Sequence, residues 1–155
     1  MSAEQMSIAG EWCDAEDGAT AEILNPATGE IMATTPKATL GDVNRCVDAS
    51  RAAFNDTSWK NMDPAQRGRI LNKMAQATYA KAKELAVLES NNNGKTFREA
   101  LSEIRFGAWT LEYFAGLSDK IEGSTIPVPG NRLNYTLRQP LGVTVHIIPW
   151  NFPLQ

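Results

Sequence analysis

The chain has 155 residues, 43% hydrophobic and 21% charged, with a net charge of −3, enough for one domain with a core of its own. That acidic balance argues against nucleic acid, whose phosphates call for clustered Lys and Arg, and no apolar run approaches the ~20 residues that cross a bilayer. Met1–Ser7 has neither the basic start nor the apolar centre of a signal peptide, so a cytoplasmic protein is expected, with Cys13 and Cys46 as reduced thiols.

Ile8–Trp12 reads as a short strand and Glu22–Leu24 as a second. Asn25-Pro-Ala-Thr-Gly29 is a turn, because Pro26 presets φ and Gly29 accepts a positive one. Glu30–Thr34 then returns, predicting a small antiparallel hairpin against a sheet edge. A first helix starts at Thr39, with Asp42 as its capping-box partner. Val43, Cys46, Val47, Ser50 and Phe54 recur on one face of it at helical spacing. Trp59 is expected in the following loop, as a lid over the core. Asp63, Pro64 and Gln66 open a second helix, whose stripe is Ile70, Met74, Thr78, Leu85 and Leu88. Ala77 and Ala82 allow close approach, and Asn91-Asn-Asn-Gly94 ends it. Unbroken from Pro64 to Ser90, it would span roughly 40 Å.

Thr96 and Glu99 open a third helix with two apolar stripes: Phe97, Leu101, Ile104, Ala108, Leu111 and Ala115, then Phe106, Trp109, Tyr113 and Leu117. Two stripes mean cover on two sides. One is expected to face the second helix, the other a sheet or a partner subunit. Ile121–Gly130 is a loop by its Pro and Gly content, and Leu133–Arg138 alternates like a half-exposed strand.

Val143–Ile148 is short, β-branched and almost wholly apolar, closed by Pro149. It reads as a strand buried on both faces, as in a parallel sheet between helices. Ligands gather past the carboxyl ends of such strands, where Pro149-Trp-Asn-Phe-Pro153 combines a rigid turn, two aromatics and one amide. Asn151, held between two prolines, is suited to donate a hydrogen bond to a developing oxyanion. On spacing alone it reads first as a helix cap, and Trp150 and Phe152 as core aromatics.

Neither cysteine suits a nucleophile, which must ionise near neutral pH with positive charge nearby. Cys13 is flanked by Glu11, Asp14, Glu16 and Asp17, which disfavour a thiolate, and Cys46 belongs to the apolar stripe of the first helix. His146 is the one histidine. Without a Cys pair or clustered carboxylates beside it, no metal site is expected, and it reads as structural. Asn93-Gly-Lys-Thr96 ends like a P-loop, but Glu89 stands where that motif has its first Gly, and a helix precedes it rather than a strand. Gly94 is read as a helix stop.

Ile148-Pro-Trp-Asn-Phe-Pro153 resembles the active-site loop of the aldehyde dehydrogenase superfamily. Ile8–Trp12, Asn25–Glu30, Leu88–Lys95, Tyr113–Gly116 and Tyr135–Gly142 fall in the same order as in that family. The resemblance implies an α/β fold: the incomplete N-terminal part of a Rossmann-like NAD-binding domain, with a hairpin, three helices and then a strand of the parallel sheet. Residues 1–131 and 142–155 would belong to that domain and 132–141 would be a protruding oligomerisation strand, with the catalytic domain absent. It further implies Asn151 as the oxyanion-hole amide for a thiohemiacetal. Ile147, Ile148, Pro149 and Trp150 would line the nicotinamide cleft, and Phe152 would wall the aldehyde pocket. NAD or NADP would be the cofactor, an aldehyde the substrate, and a homodimer or homotetramer the assembly. The family's catalytic Cys, its general-base Glu and the lysine that grips the adenosine ribose would all lie beyond Gln155. An inactive front portion of an enzyme, cut inside its active-site loop, is therefore expected. The alternative is a non-catalytic α/β binding or assembly module that uses Tyr135–Leu141 as a pairing edge.

Overall fold

The computed structural model describes residues 2–154. It begins with β1 (Ser2–Ala3), β2 (Met6–Ile8), β3 (Glu11–Cys13), β4 (Thr20–Leu24) and β5 (Ile31–Pro36). The expected hairpin is β4–β5, antiparallel from Thr20↔Pro36 to Leu24↔Ile31, and β1 joins β5 in parallel to give the order β1-β5-β4. Its turn is tied by the Asn25 side chain, which accepts from the Ala27 N–H (2.9 Å), and by the Gly29 N–H donating to the Asn25 carbonyl (2.8 Å). Ile8–Trp12 is not one strand. Ala9 (φ 56°) and Gly10 (φ 85°) fold it into the tight β2–β3 hairpin, with Ile8 opposite Glu11. Two successive positive φ values suit a primed two-residue turn, and Ala-Gly is a weak signal for one.

Five helices follow: α1 (Leu40–Asn55), α2 (Thr57–Lys60), α3 (Pro64–Ala80), α4 (Ala82–Asn93) and α5 (Phe97–Leu117). The helix starts are where local chemistry puts them. Thr39/Asp42 and Thr96/Glu99 are complete capping boxes, and Asp63 accepts from the Ala65 and Gln66 N–H groups ahead of Pro64. Gly94, at φ 80°, stops α4 with its N–H on the Ser90 carbonyl (3.0 Å), a left-handed cap that glycine adopts at little steric cost. Trp59 lies on the one-turn helix α2 and is about half exposed, so it is no lid.

The long second helix is interrupted at Lys81 (φ −97°, ψ 7°), and both halves, α3 and α4, pack on α5. Its buried positions are small: Gly68, Ala75, Ala82 and Ala86, with Glu89 at the end. Met74 and Leu88 of the expected stripe are exposed. Small residues win the interface because they let the two backbones approach. A Cβ at Gly68 would stand 2.7 Å from the Ala115 carbonyl oxygen. Facing them on α5 are Ala100, Ile104 and Ala108; Ile104 and Ala108 belong to the expected first stripe, Ala100 does not, and Phe97 of that stripe is exposed. The aromatic stripe Phe106, Trp109 and Tyr113 stacks along α5, with ring centroids 5.4 and 6.1 Å apart, but remains exposed.

On α1 the expected apolar face is not the buried one. Val43, Cys46 and Val47 are exposed, and the residue inside is Asp42, 1% exposed. Its carboxylate accepts from the Thr39 N–H (2.8 Å), the Glu16 N–H (3.3 and 3.2 Å) and Arg45 Nη2 (2.6 Å), tying the loop after β3 to the start of α1. The Thr39 backbone bond outweighs the cost of burial and, with Glu16 and Arg45, holds this carboxyl well below the usual carboxylate range. A depressed native pKa stabilises the fold above the unfolded value and ceases to do so as pH falls through the native one. Urea midpoints are therefore expected to fall as pH drops below about 4. Asp42→Asn should be less stable at neutral pH and lose less on acidification. An equal acid loss in both proteins would refute the assignment.

The last strands are β6 (Thr125–Ile126) and β7 (Asn134–Tyr135), a two-residue antiparallel pair, exposed throughout. Only the start of the expected Leu133–Arg138 strand is thus a strand. Val143–Ile148 corrects the sequence reading more severely. It forms no strand, and Val145 and Ile147 are 81% and 92% exposed. A parallel strand exists only beside others, and none of β1–β7 lies alongside it.

Candidate active site

Lys95 organises the region around Pro149–Pro153. Its position is set by short-range bonds. The Lys95 N–H donates to Asn93 Oδ1 (3.0 Å), and the Lys95 carbonyl accepts from Ser90 Oγ (2.7 Å). From there the side chain turns inward. Nζ donates to Glu89 Oε1 on α4 (2.6 Å), to Glu103 Oε2 on α5, and to the main-chain carbonyl of Asn151 (2.7 Å). The ammonium also stands 5.1 Å from the centroid of the Phe152 ring, within cation–π range. Burial on its own would pull the Lys95 ammonium down, but the hydrogen bonds to Glu103 and Glu89 together hold its pKa above the ordinary lysine value. The group is a cation at any physiological pH.

The loop closes on itself through the Phe152 N–H, which donates to the Pro149 carbonyl (3.2 Å). Beyond it, Pro153 and Leu154 border a cavity of about 410 Å³ whose walls include Ile23, Ala33, Leu85 and Leu88. The tail of the loop thus shares this cavity with the β4–β5 sheet and α4, and Leu154 remains 50% exposed. The Asn151 main-chain carbonyl is held by Lys95, but the side-chain amide, the group expected to be held, is not. That amide is exposed and makes no hydrogen bond to a described residue, so it caps no helix here.

The other sequence-predicted site residues sit together on the same segment. Ile147, Ile148 and Trp150 are 92%, 53% and 80% exposed, Pro149 is exposed, and Phe152 is 40% exposed against Lys95. Described residues bring them into one neighbourhood but do not close a cleft over them. His146 is exposed rather than in mid-strand, and shares a hydrogen bond with Thr144 Oγ1 (3.1 Å). Lys95, Glu89 and Glu103 escaped the sequence reading. One signal was present, a lysine directly after a helix-stop glycine, but its partners lie six, eight and 56 residues away.

Residues 12–155 match the Aldehyde dehydrogenase family, and the chain belongs to that family. It is 45% identical over 152 residues to a (Z)-2-((N-methylformamido)methylene)-5-hydroxybutyrolactone dehydrogenase of Acinetobacter baylyi, covering 97% of this chain and 30% of that protein. Mouse cytosolic aldehyde dehydrogenase 1 is 44% identical, covering 95% and 30%. Among solved structures, the NAD+ complex of an aldehyde dehydrogenase from Bacillus cereus superposes with a TM-score of 0.93 at 40% identity, covering 97% of this chain and 31% of that one. The fold is thus the α/β fold of aldehyde dehydrogenase structures, and the chain spans about 30% of the length of these relatives.

Proposed function

We propose that this chain is the N-terminal part of an NAD- or NADP-dependent aldehyde dehydrogenase that oxidises an aldehyde to a carboxylic acid. The observation that carries the reading is the Pro149–Pro153 loop. It is anchored by its main chain and offers a carboxamide with no hydrogen bond to a described residue, beside an exposed apolar run, in a chain of this family. Asn151 donates its amide N–H to the oxyanion that forms when a thiolate, supplied from outside these residues, attacks the aldehyde carbon. Such covalent attack divides one difficult step into two easier ones. The exposed, apolar segment Ile147–Trp150 fits one wall of a nicotinamide slot, and Phe152 one wall of the aldehyde pocket. A bound nicotinamide would accept the hydride, and water would then displace the thiolate from the resulting acyl group to release the acid. The rest of a Rossmann-like parallel sheet would cover Val143–Ile148, which accounts for so apolar a run without a partner of its own. Residues 132–141 serve as the oligomerisation strand of a homodimer or homotetramer. Exposed Leu133, Leu137 and Leu141 support that role.

The 155-residue chain given an aldehyde with NAD or NADP is expected to show no growth of reduced-cofactor absorbance, whereas the protein extended to the length of its relatives turns over. Turnover by the short chain, or none by the extended protein across a panel of aldehydes, would overturn the reading.

A further inference from the structure

A half-buried ammonium between two carboxylates is a weak device for stability, since desolvating the charges offsets most of their attraction. Such clusters are better understood by what they hold in place. Lys95 has three N–H donors, and each has a separate acceptor: Glu89 on α4, Glu103 on α5 and the Asn151 carbonyl on the loop. The first two acceptors belong to packed helices and orient the ammonium, which leaves the third donor a fixed direction. The side chains of Lys95, Glu89 and Glu103 are 14%, 2% and 19% exposed, so water competes little for the two carboxylate bonds, whereas the bond to the Asn151 carbonyl lies at the surface. A second anchor lies one turn along α5. A Cβ at Gly107 would stand 2.6 Å from the Leu154 carbonyl oxygen, so the loop's far end rests directly on the helix backbone.

We propose that Lys95, oriented by Glu89 and Glu103, is a positioning residue for the oxyanion donor. It fixes the main chain of Asn151, and with it the direction of the carboxamide. The inference rests on the aldehyde-oxidising reading for the meaning of Asn151, but the contact itself does not. Lys95 touches no substrate in this arrangement. Its effect passes through the loop.

Two measurements test it. In the 155-residue chain, hydrogen exchange of the Phe152 amide is expected to quicken about tenfold or more in Lys95→Met, the loss of a charge-assisted bond, with Ala100–Ala108 protection unchanged. Lys95→Arg should recover part of the loss. Because Lys95→Met strands two carboxylates, the charge-free Glu89→Gln/Glu103→Gln/Lys95→Met protein is run beside it, and it should show the same fast loop on an intact α4–α5 pair. Unchanged loop exchange in that protein would overturn the proposal. In the extended enzyme, Lys95→Met should lower kcat more than it raises KM for the aldehyde, and should add little to the loss already present in Asn151→Ala, the coupling expected of groups acting as one. Additive losses would overturn it. If Asn151→Ala alone cost nothing, the oxyanion role of Asn151 would fail, while the exchange result would still decide the clamp.

Discussion

Asn151→Ala in the extended enzyme is expected to lower kcat by about 10²–10³, the usual cost of removing one oxyanion donor. The loop should survive the change, because its anchors are main-chain and neighbouring groups: the Asn151 carbonyl on Lys95, the Phe152 N–H on Pro149, and the Phe152 ring by the ammonium. None of these uses the carboxamide. Cofactor affinity, assigned to Ile147–Trp150, should therefore hardly move, and the loss should fall on the chemical step. Asn151→Asp is the sharper variant: it is similar in size but replaces a donor with a negative charge facing a developing negative charge. It should be at least as slow as Asn151→Ala. Steady-state rates of reduced-cofactor formation decide the matter, and an Asn151→Ala enzyme as fast as its parent would remove Asn151 from the mechanism.

The second large effect concerns the frame. Ile104 has no exposed surface and lies on α5 among Ala82, Ala86 and Ala100, with Leu85 and Leu101 at the margin. Ile104→Ala should cost about 2–5 kcal/mol, and the upper part of that range is expected. The enclosed neighbours Ala82, Ala86 and Ala100 end in single methyl groups and cannot fill the space, so only Leu85 and Leu101 at the margin can lean toward it. Closing it would require α4 and α5 to move together. A loss of this size is a large share of the 5–15 kcal/mol typical of a domain. Val87, half exposed on α4, supplies the control, since Val87→Ala should stay within about 0.5 kcal/mol. Urea unfolding followed by far-ultraviolet circular dichroism compares them, and equal costs would show that the α4–α5 seam is not the core.

Much of this protein was legible before any fold was known, and the legible parts share one property. The starts of α1, α3 and α5, the Gly94 stop and the turn from Asn25 to Glu30 each depend on bonds spanning a few residues. The order of six short motifs also carried the family, which the match over residues 12–155 bears out. Where the reading failed, the missing information lay on another surface. Val43 and Val47 have the spacing of a core face, yet α1 turns Asp42 inward because the Thr39 and Glu16 N–H groups wait there. The seam of α3 and α4 was sought among its large residues and lies along its small ones, because contact distance to α5 decides which side chains fit.

The same division separates the two halves of the candidate site. Residue type and the flanking prolines draw attention to Asn151 and its loop, and the family resemblance, not the spacing, gives Asn151 its proposed role. Only the tertiary structure could join Lys95 to that loop, because Glu89, Glu103 and the Asn151 carbonyl meet one ammonium from three separate stretches of chain. Val143–Ile148 makes the point from the other side. Its composition is that of an inner strand, but a strand is a relation between neighbours, and without them the same residues stand in water. Bonds within a few residues are written in the sequence, whereas burial and pairing belong to two surfaces at once and are decided when those surfaces meet.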